Sequence, residues 1–138
     1  TDRRQRQMCI RDRCIGSKND EDIGMGIGSL NNLRSNESFI NLTGKTSLQD
    51  AIDILAFTEK VVTNDSGLMH ISAAVKTPLV ALYGPSSPEY TPPLISKKKI
   101  LRKTQGYEKV RYGSNEKGYH QSLLDIKPEE VLDALEAL

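Results

Sequence analysis

The sequence predicts an α/β fold, a doubly wound and mainly parallel sheet with helices on both faces. Three observations carry that prediction. From Cys14 onward short apolar runs alternate with helix-period stretches, as in "KVVTN", "LMHISAAV" and "PLVALYG", the pattern of strand-helix-strand units. "PLVALYG" is apolar with almost no interruption, which marks a strand covered on both faces. Each apolar run then opens into a short polar loop holding glycine ("GSKND", "TGKT", "TNDSG" and "GPSSP"). In such sheets ligands bind beyond the carboxyl ends of the strands, so these four loops are expected to form a ligand-binding rim.

Taken in order, "CIGS" reads as the tail of a strand. "DIGMGIGSLNNL" has Ile23, Ile27 and Leu30 at helical spacing. Its three glycines make it a poor helix, each costing up to about 1 kcal/mol against alanine. "SFINL" is a strand. In "SLQDAIDILAFTEK" Leu48, Ala51, Ile52 and Leu55 form one apolar face, opened by a capping box of Ser47 with Asp50 or Thr46 with Gln49. After "KVVTN", "LMHISAAV" and "PLVALYG" the regularity stops. "GPSSPEYTPP" holds four of the six prolines and is a stiffened loop. "KKKILRK" is a further strand and "TQGYEKVRYGSNEKGYHQS" an irregular excursion. In "DIKPEEVLDALEAL", Pro128 suits the first helical turn, the two glutamates complement the helix dipole, and Val131, Leu132, Leu135 and Leu138 form an apolar stripe.

Composition places the 138 residues in the ordinary globular range, with 37% apolar and 27% charged residues and a formal net charge of +1. No run approaches the roughly 18 apolar residues of a spanning helix, and no secretory signal is visible. Cys9 and Cys14 fit neither a disulfide framework nor a four-ligand zinc site, so a reducing, cytoplasmic setting is expected. Residues 1–13 carry five arginines against two aspartates. Such an arm could bind nucleic acid, but "RQRQMCIRDR" resembles translated sequencing-adapter text without apolar periodicity. We expect residues 1–13 to be a non-native tail outside the fold, and the native chain to start partway through a larger protein.

"TNDSGLMH" raises the sharpest functional question. If Ser66 and Gly67 open a helix, the free amides of its first turn and the positive end of its dipole make an anion pocket. Gly67 lets a phosphate approach the backbone. Asp65 must point away from that phosphate, and its natural partners are hydroxyl groups such as those of a sugar. Together they suggest a sugar linked to phosphate. The alternative is that Asp65 or Ser66 merely caps the helix, and spacing leaves both open. His70, one turn after Ser66, can share its helix face or be a structural histidine.

"TGKT" fails the P-loop spacing, and Thr46 more plainly caps a helix. The span 97–117 holds eight lysines and arginines against two glutamates, with Tyr107 and Tyr112 between them. That pattern fits a surface for an anionic or glycan partner, or only a solvated face.

"VTNDSGLMHISAAVKTPLVALYGPSSPEYTPPL", with "NLTGKTSL" and "GYHQSLLDIKPEEVL", resembles the ADP-heptose-dependent glycosyltransferases of family 9. The likeness runs from about residue 14 to the C-terminus. It implies a Rossmann-like C-terminal half of a two-domain GT-B enzyme, incomplete at its N-terminus. It further implies transfer of L-glycero-D-manno-heptose from ADP-heptose, with inversion, to a heptosyl-Kdo-lipid A acceptor at the cytoplasmic face of the inner membrane, with peripheral membrane contact. On the resemblance Asp65 binds heptose hydroxyls, Ser66 and Gly67 the diphosphate, and His70 that loop or the phosphate. Thr46 lies where the family packs adenine, and Asp20 is a candidate for the ribose. No cofactor is required beyond the donor substrate, no metal site is assigned, and nucleic acid is not a partner. The general base belongs to the family's N-terminal domain, absent here, so this chain is expected to contain no catalytic residue and to be inactive alone. Two other readings stand beside this one: a different sugar-nucleotide enzyme of the same fold, and a non-enzymatic α/β nucleotide-binding module.

Overall fold

The computed structural model describes residues 12–31, 39–104 and 120–138. The chain divides into two compact units, Thr1–Ala51 and Ile52–Leu138. In the first, β1 (Asp12–Cys14) leads through a short 3-10 turn into α1 (Glu21–Asn31), and β2 (Phe39–Asn41) pairs with β1 in parallel. β1 takes in Asp12 and Arg13, which face Phe39 and Ile40. Those two residues lie inside the stretch expected to stand outside the fold.

α1 forms despite its glycines, and its packing explains them. A Cβ on Gly24 would come within 2.4 Å of the Asn41 side chain, and one on Gly28 within 3.2 Å of the Phe39 ring. The two glycines, one turn apart, let the helix lie closer to β2 than a side chain would permit. Close contact thus replaces helix propensity. The apolar residues that suggested a buried face are turned outward, with Ile23 51% and Leu30 75% exposed.

α2 (Leu48–Ala56), in which the division between units falls, opens on the Ser47–Asp50 box. The Ser47 amide donates to Asp50 Oδ2 at 2.9 Å, and the Asp50 amide donates to Ser47 Oγ at 3.1 Å. The Ser47 amide first, and then the Ser47 side chain, hold the Asp50 carboxyl below its ordinary pKa. Ala51 and Leu55 are buried as the pattern predicts, while Leu48 is exposed.

In the second unit β3 (Val61–Asn64), β4 (Leu79–Tyr83) and β5 (Lys98–Arg102) form a parallel sheet in that order. β4 is the middle strand, and Leu79, Val80, Ala81 and Tyr83 have no solvent exposure. Alternate residues of a strand face opposite ways, so both faces of β4 are covered, as its unbroken apolar run required. α3 (Gly67–Ala74) places Met69 and Ala73 against Leu79, Ala81 and Tyr83, with Val61, Ile95 and Ile100 around them. α3 stops at Lys76, whose φ of +64° is left-handed, and buried Thr77 donates its hydroxyl to the Leu55 carbonyl at 2.6 Å.

Beyond β5 come α4 (Gln121–Leu124) and α5 (Pro128–Glu136). Pro128 sits in the first turn of α5, and Glu130 accepts the Lys127 amide at 2.8 Å. The Lys60 ammonium donates to the Leu135 carbonyl at 2.8 Å, the favourable charge for that helix end. Ala134 is the buried residue of α5, and Leu132 of the expected stripe is 59% exposed. Most of the excursion read from "TQGYEKVRYGSNEKGYHQS" lies outside the described residues. Among those residues the strands form two parallel sheets, of two and three strands, where the sequence predicted one.

Gly24→Ala tests the packing account of α1. Helix propensity alone favours alanine by about 1 kcal/mol. Overpacking against Asn41, which also accepts the Thr43 amide at 3.1 Å and hydroxyl at 2.6 Å, costs roughly 1–3 kcal/mol. A net loss of stability in urea denaturation is the expected outcome, and a gain would show that α1 does not need the close approach.

Candidate functional site

β3 ends at Asn64, and the chain passes through Asp65 and Ser66 into α3. Ser66 is extended, with φ −150° and ψ 171°, and its hydroxyl makes no capping bond. It is the N-cap by backbone position only. The first-turn amides of a helix have no acceptor within it, and here no Ser66 side chain satisfies them. Gly67 is exposed, and a Cβ there would meet nothing within 4 Å. The first turn of α3 is uncapped by a side chain and open at Gly67.

Asp65 is held from another part of the chain. Its Oδ2 accepts the Thr91 hydroxyl at 3.1 Å, and among the described residues it accepts no α3 amide. Thr91 closes the proline-rich loop after β4, and its carbonyl accepts the buried phenol of Tyr83. Its amide donates to the carbonyl of buried Ser87 at 3.3 Å. The Tyr83 phenol is pushed above its ordinary pKa, first by burial and then by the negative charge of Asp65, while the Thr91 side chain pulls the other way.

The structure therefore brings Asp65, Ser66 and Gly67 together at the carboxyl end of β3, beside the loop that follows β4. His70 is exposed on α3, one turn beyond Ser66, so it is not a sealed structural histidine. Thr46 and Asp20 belong to the first unit. There the loops after β1 and β2 adjoin, the Gly44 amide donating to the Gly16 carbonyl at 2.9 Å. Thr46 is half-buried before α2. Asp20 Oδ2 accepts the Ser17 amide at 2.7 Å and the Ser17 hydroxyl at 2.8 Å, so that carboxylate already braces its own turn.

The basic span is partly committed. Lys103 pairs with Glu130, and Lys98 donates to the Pro93 carbonyl at 3.1 Å. Lys109, Arg111 and Lys117 lie outside the described residues. Among the described residues no helix is long and apolar enough to cross a membrane.

Sequence reasoning did not single out Thr91 or Tyr83. The Thr91–Asp65 bond joins residues 26 apart, and no local spacing reports a contact of that kind.

A parallel α/β unit with an uncapped helix N-terminus and a braced acid at the carboxyl end of one strand has the arrangement in which open α/β sheets bind ligands. The chain belongs to glycosyltransferase family 9 (heptosyltransferase), which it matches over residues 14–120. It is 53% identical over 125 residues to lipooligosaccharide heptosyltransferase 2 of Haemophilus influenzae, covering 90% of this chain and 36% of that protein. Lipopolysaccharide heptosyltransferase 2 of Escherichia coli is 50% identical over 124 residues, with the same coverage. The solved structure of E. coli ADP-heptose LPS heptosyltransferase II superposes with a TM-score of 0.82 at 41% identity, covering 97% of this chain and 38% of that one. The chain thus spans little more than a third of the relatives it matches.

The raised Tyr83 pKa fixes the sign of an alkaline effect. The folded state holds the phenol's proton beyond the ordinary value of 10.0, so the stabilisation is complete below that pH and is lost as pH rises through the raised value. Tyr83→Phe should lower stability by about 1 kcal/mol at neutral pH. It should also flatten the decline above about pH 10, as read by urea denaturation across that range; an unchanged alkaline slope would show that Tyr83 is not its source.

Proposed function

We propose that this chain is the donor-binding half of an inverting heptosyltransferase that moves L-glycero-D-manno-heptose from ADP-heptose to a heptosyl-Kdo-lipid A acceptor in lipopolysaccharide core biosynthesis. The observation that carries the proposal is the division of labour at the end of β3. The Ser66 side chain leaves the α3 amides uncapped, and the Asp65 carboxylate is held by Thr91. The amides of Ser66 and Gly67, with the helix dipole, take the diphosphate. Asp65 takes heptose hydroxyls as a hydrogen-bond acceptor, and exposed His70 supports the phosphate side. Thr46 and Asp20 serve the adenine and ribose.

Inversion requires a base on the face of the sugar opposite the leaving diphosphate. That base belongs to an N-terminal domain carrying the acceptor site, so residues 14–138 alone bind donor weakly and do not turn it over. The enzyme works at the cytoplasmic face of the inner membrane. Its likeness to two relatives named heptosyltransferase 2 over 90% of the chain favours the second core heptose over a heptosyltransferase I or III role. A non-enzymatic nucleotide-binding module is the remaining alternative.

In the full-length enzyme, Asp65→Ala should lower kcat/KM for heptose transfer roughly 10- to 100-fold, the worth of a hydrogen bond to a charged group, with folding stability changed by no more than about 1 kcal/mol. Gly67→Ala should weaken donor binding while stability stays level or rises by up to about 1 kcal/mol. Parallel losses of stability and activity in both variants would return these residues to a capping role. Transfer to the acceptor by the isolated chain would overturn the half-enzyme reading.

A further inference from the structure

We propose that Thr91 is a positioning residue that sets the rotamer of Asp65 for the sugar of the donor; this rests on the reading of Asp65 given above. The Thr91 hydroxyl has one proton and two acceptors in reach, Asp65 Oδ2 at 3.1 Å and the Ser87 carbonyl at 3.4 Å. A carboxylate is the stronger acceptor and here the nearer one, so the proton goes to Asp65. That bond occupies one carboxylate oxygen and leaves Oδ1 to accept from a ligand hydroxyl.

Thr91 can direct Asp65 because its own backbone is fixed at both polar groups. Its carbonyl accepts the phenol of Tyr83, a residue with no solvent exposure in the middle strand. Its amide donates to Ser87, which is 2% exposed and whose hydroxyl accepts the Glu89 amide at 3.2 Å. Pro92 and buried Pro93 follow at once, so the loop has few conformations to lose when ligand arrives. An aspartate left free on the surface would have to be ordered by the ligand, and ordering one side chain weakens binding by up to about tenfold. Thr91 removes that cost in advance. Its effect should fall on the sugar alone, since the diphosphate meets amides rather than Asp65.

The test uses the full-length enzyme and calorimetric titration with ADP-heptose and with ADP. Thr91→Val should weaken ADP-heptose about three- to tenfold and leave ADP unchanged, and Thr91→Ser, which keeps the hydroxyl, should restore the difference. Thr91→Ala replaces valine should that variant fail to fold. Equal weakening of both ligands would mean a merely structural loop residue, and unchanged ADP-heptose affinity would mean Asp65 needs no positioning; either result overturns the proposal. The underlying reading fails separately if wild type binds ADP-heptose no more tightly than ADP and Asp65→Ala alters neither, and the proposal then falls with it.

Discussion

The rim of the second unit depends on one buried phenol. Tyr83 ends the central strand with no solvent exposure, and its hydroxyl must find an acceptor or forfeit the desolvation cost of a sealed polar group. It finds the Thr91 carbonyl, with the Met69 sulfur also 3.5 Å away. That bond converts the packing of β4 and α3 into a fixed position for a surface loop. Core and site are thus joined at a single side chain, and the loop's four prolines have something rigid to be anchored to.

Much of this was legible in the sequence where the governing interaction is local. The unbroken run of "PLVALYG" announced a strand covered on both faces, and "SLQDAIDILAF" announced an apolar helix face behind a cap. Both follow from periodicity, which a window of ten residues contains. At Ser66 and Gly67 the sequence leaves two readings open, and the geometry shows that the Ser66 hydroxyl makes no capping bond. A serine can cap or not with the same neighbours, and what decides is where its hydroxyl points.

The rest was hidden for physical reasons. α1 looked unfavourable because propensity counts each glycine as a loss, while the compensating gain is close contact with Asn41 and Phe39, on another element. Its apolar residues point outward for the same reason, since the glycine face is the one that packs. The pairing of Asp12 and Arg13 with β2 was obscured by an arginine-rich run that has no pattern of its own. Backbone hydrogen bonds made that strand, and they are indifferent to side-chain periodicity. Thr91 was hidden most completely, because its partner lies across a helix, a strand and a loop.

The same geometry explains how one short turn can hold groups of opposite preference. An acid beside a diphosphate is repulsive, and a helix N-terminus with an acid folded over it would be satisfied and closed. The extended backbone at Ser66 separates the two functions: the amides beyond it follow the axis of α3, and the carboxylate before it is drawn off toward the loop after β4. Thr91 therefore does more than hold Asp65. By holding Oδ2 it draws the carboxylate toward the loop after β4, and the first turn of α3 is left without a side-chain cap.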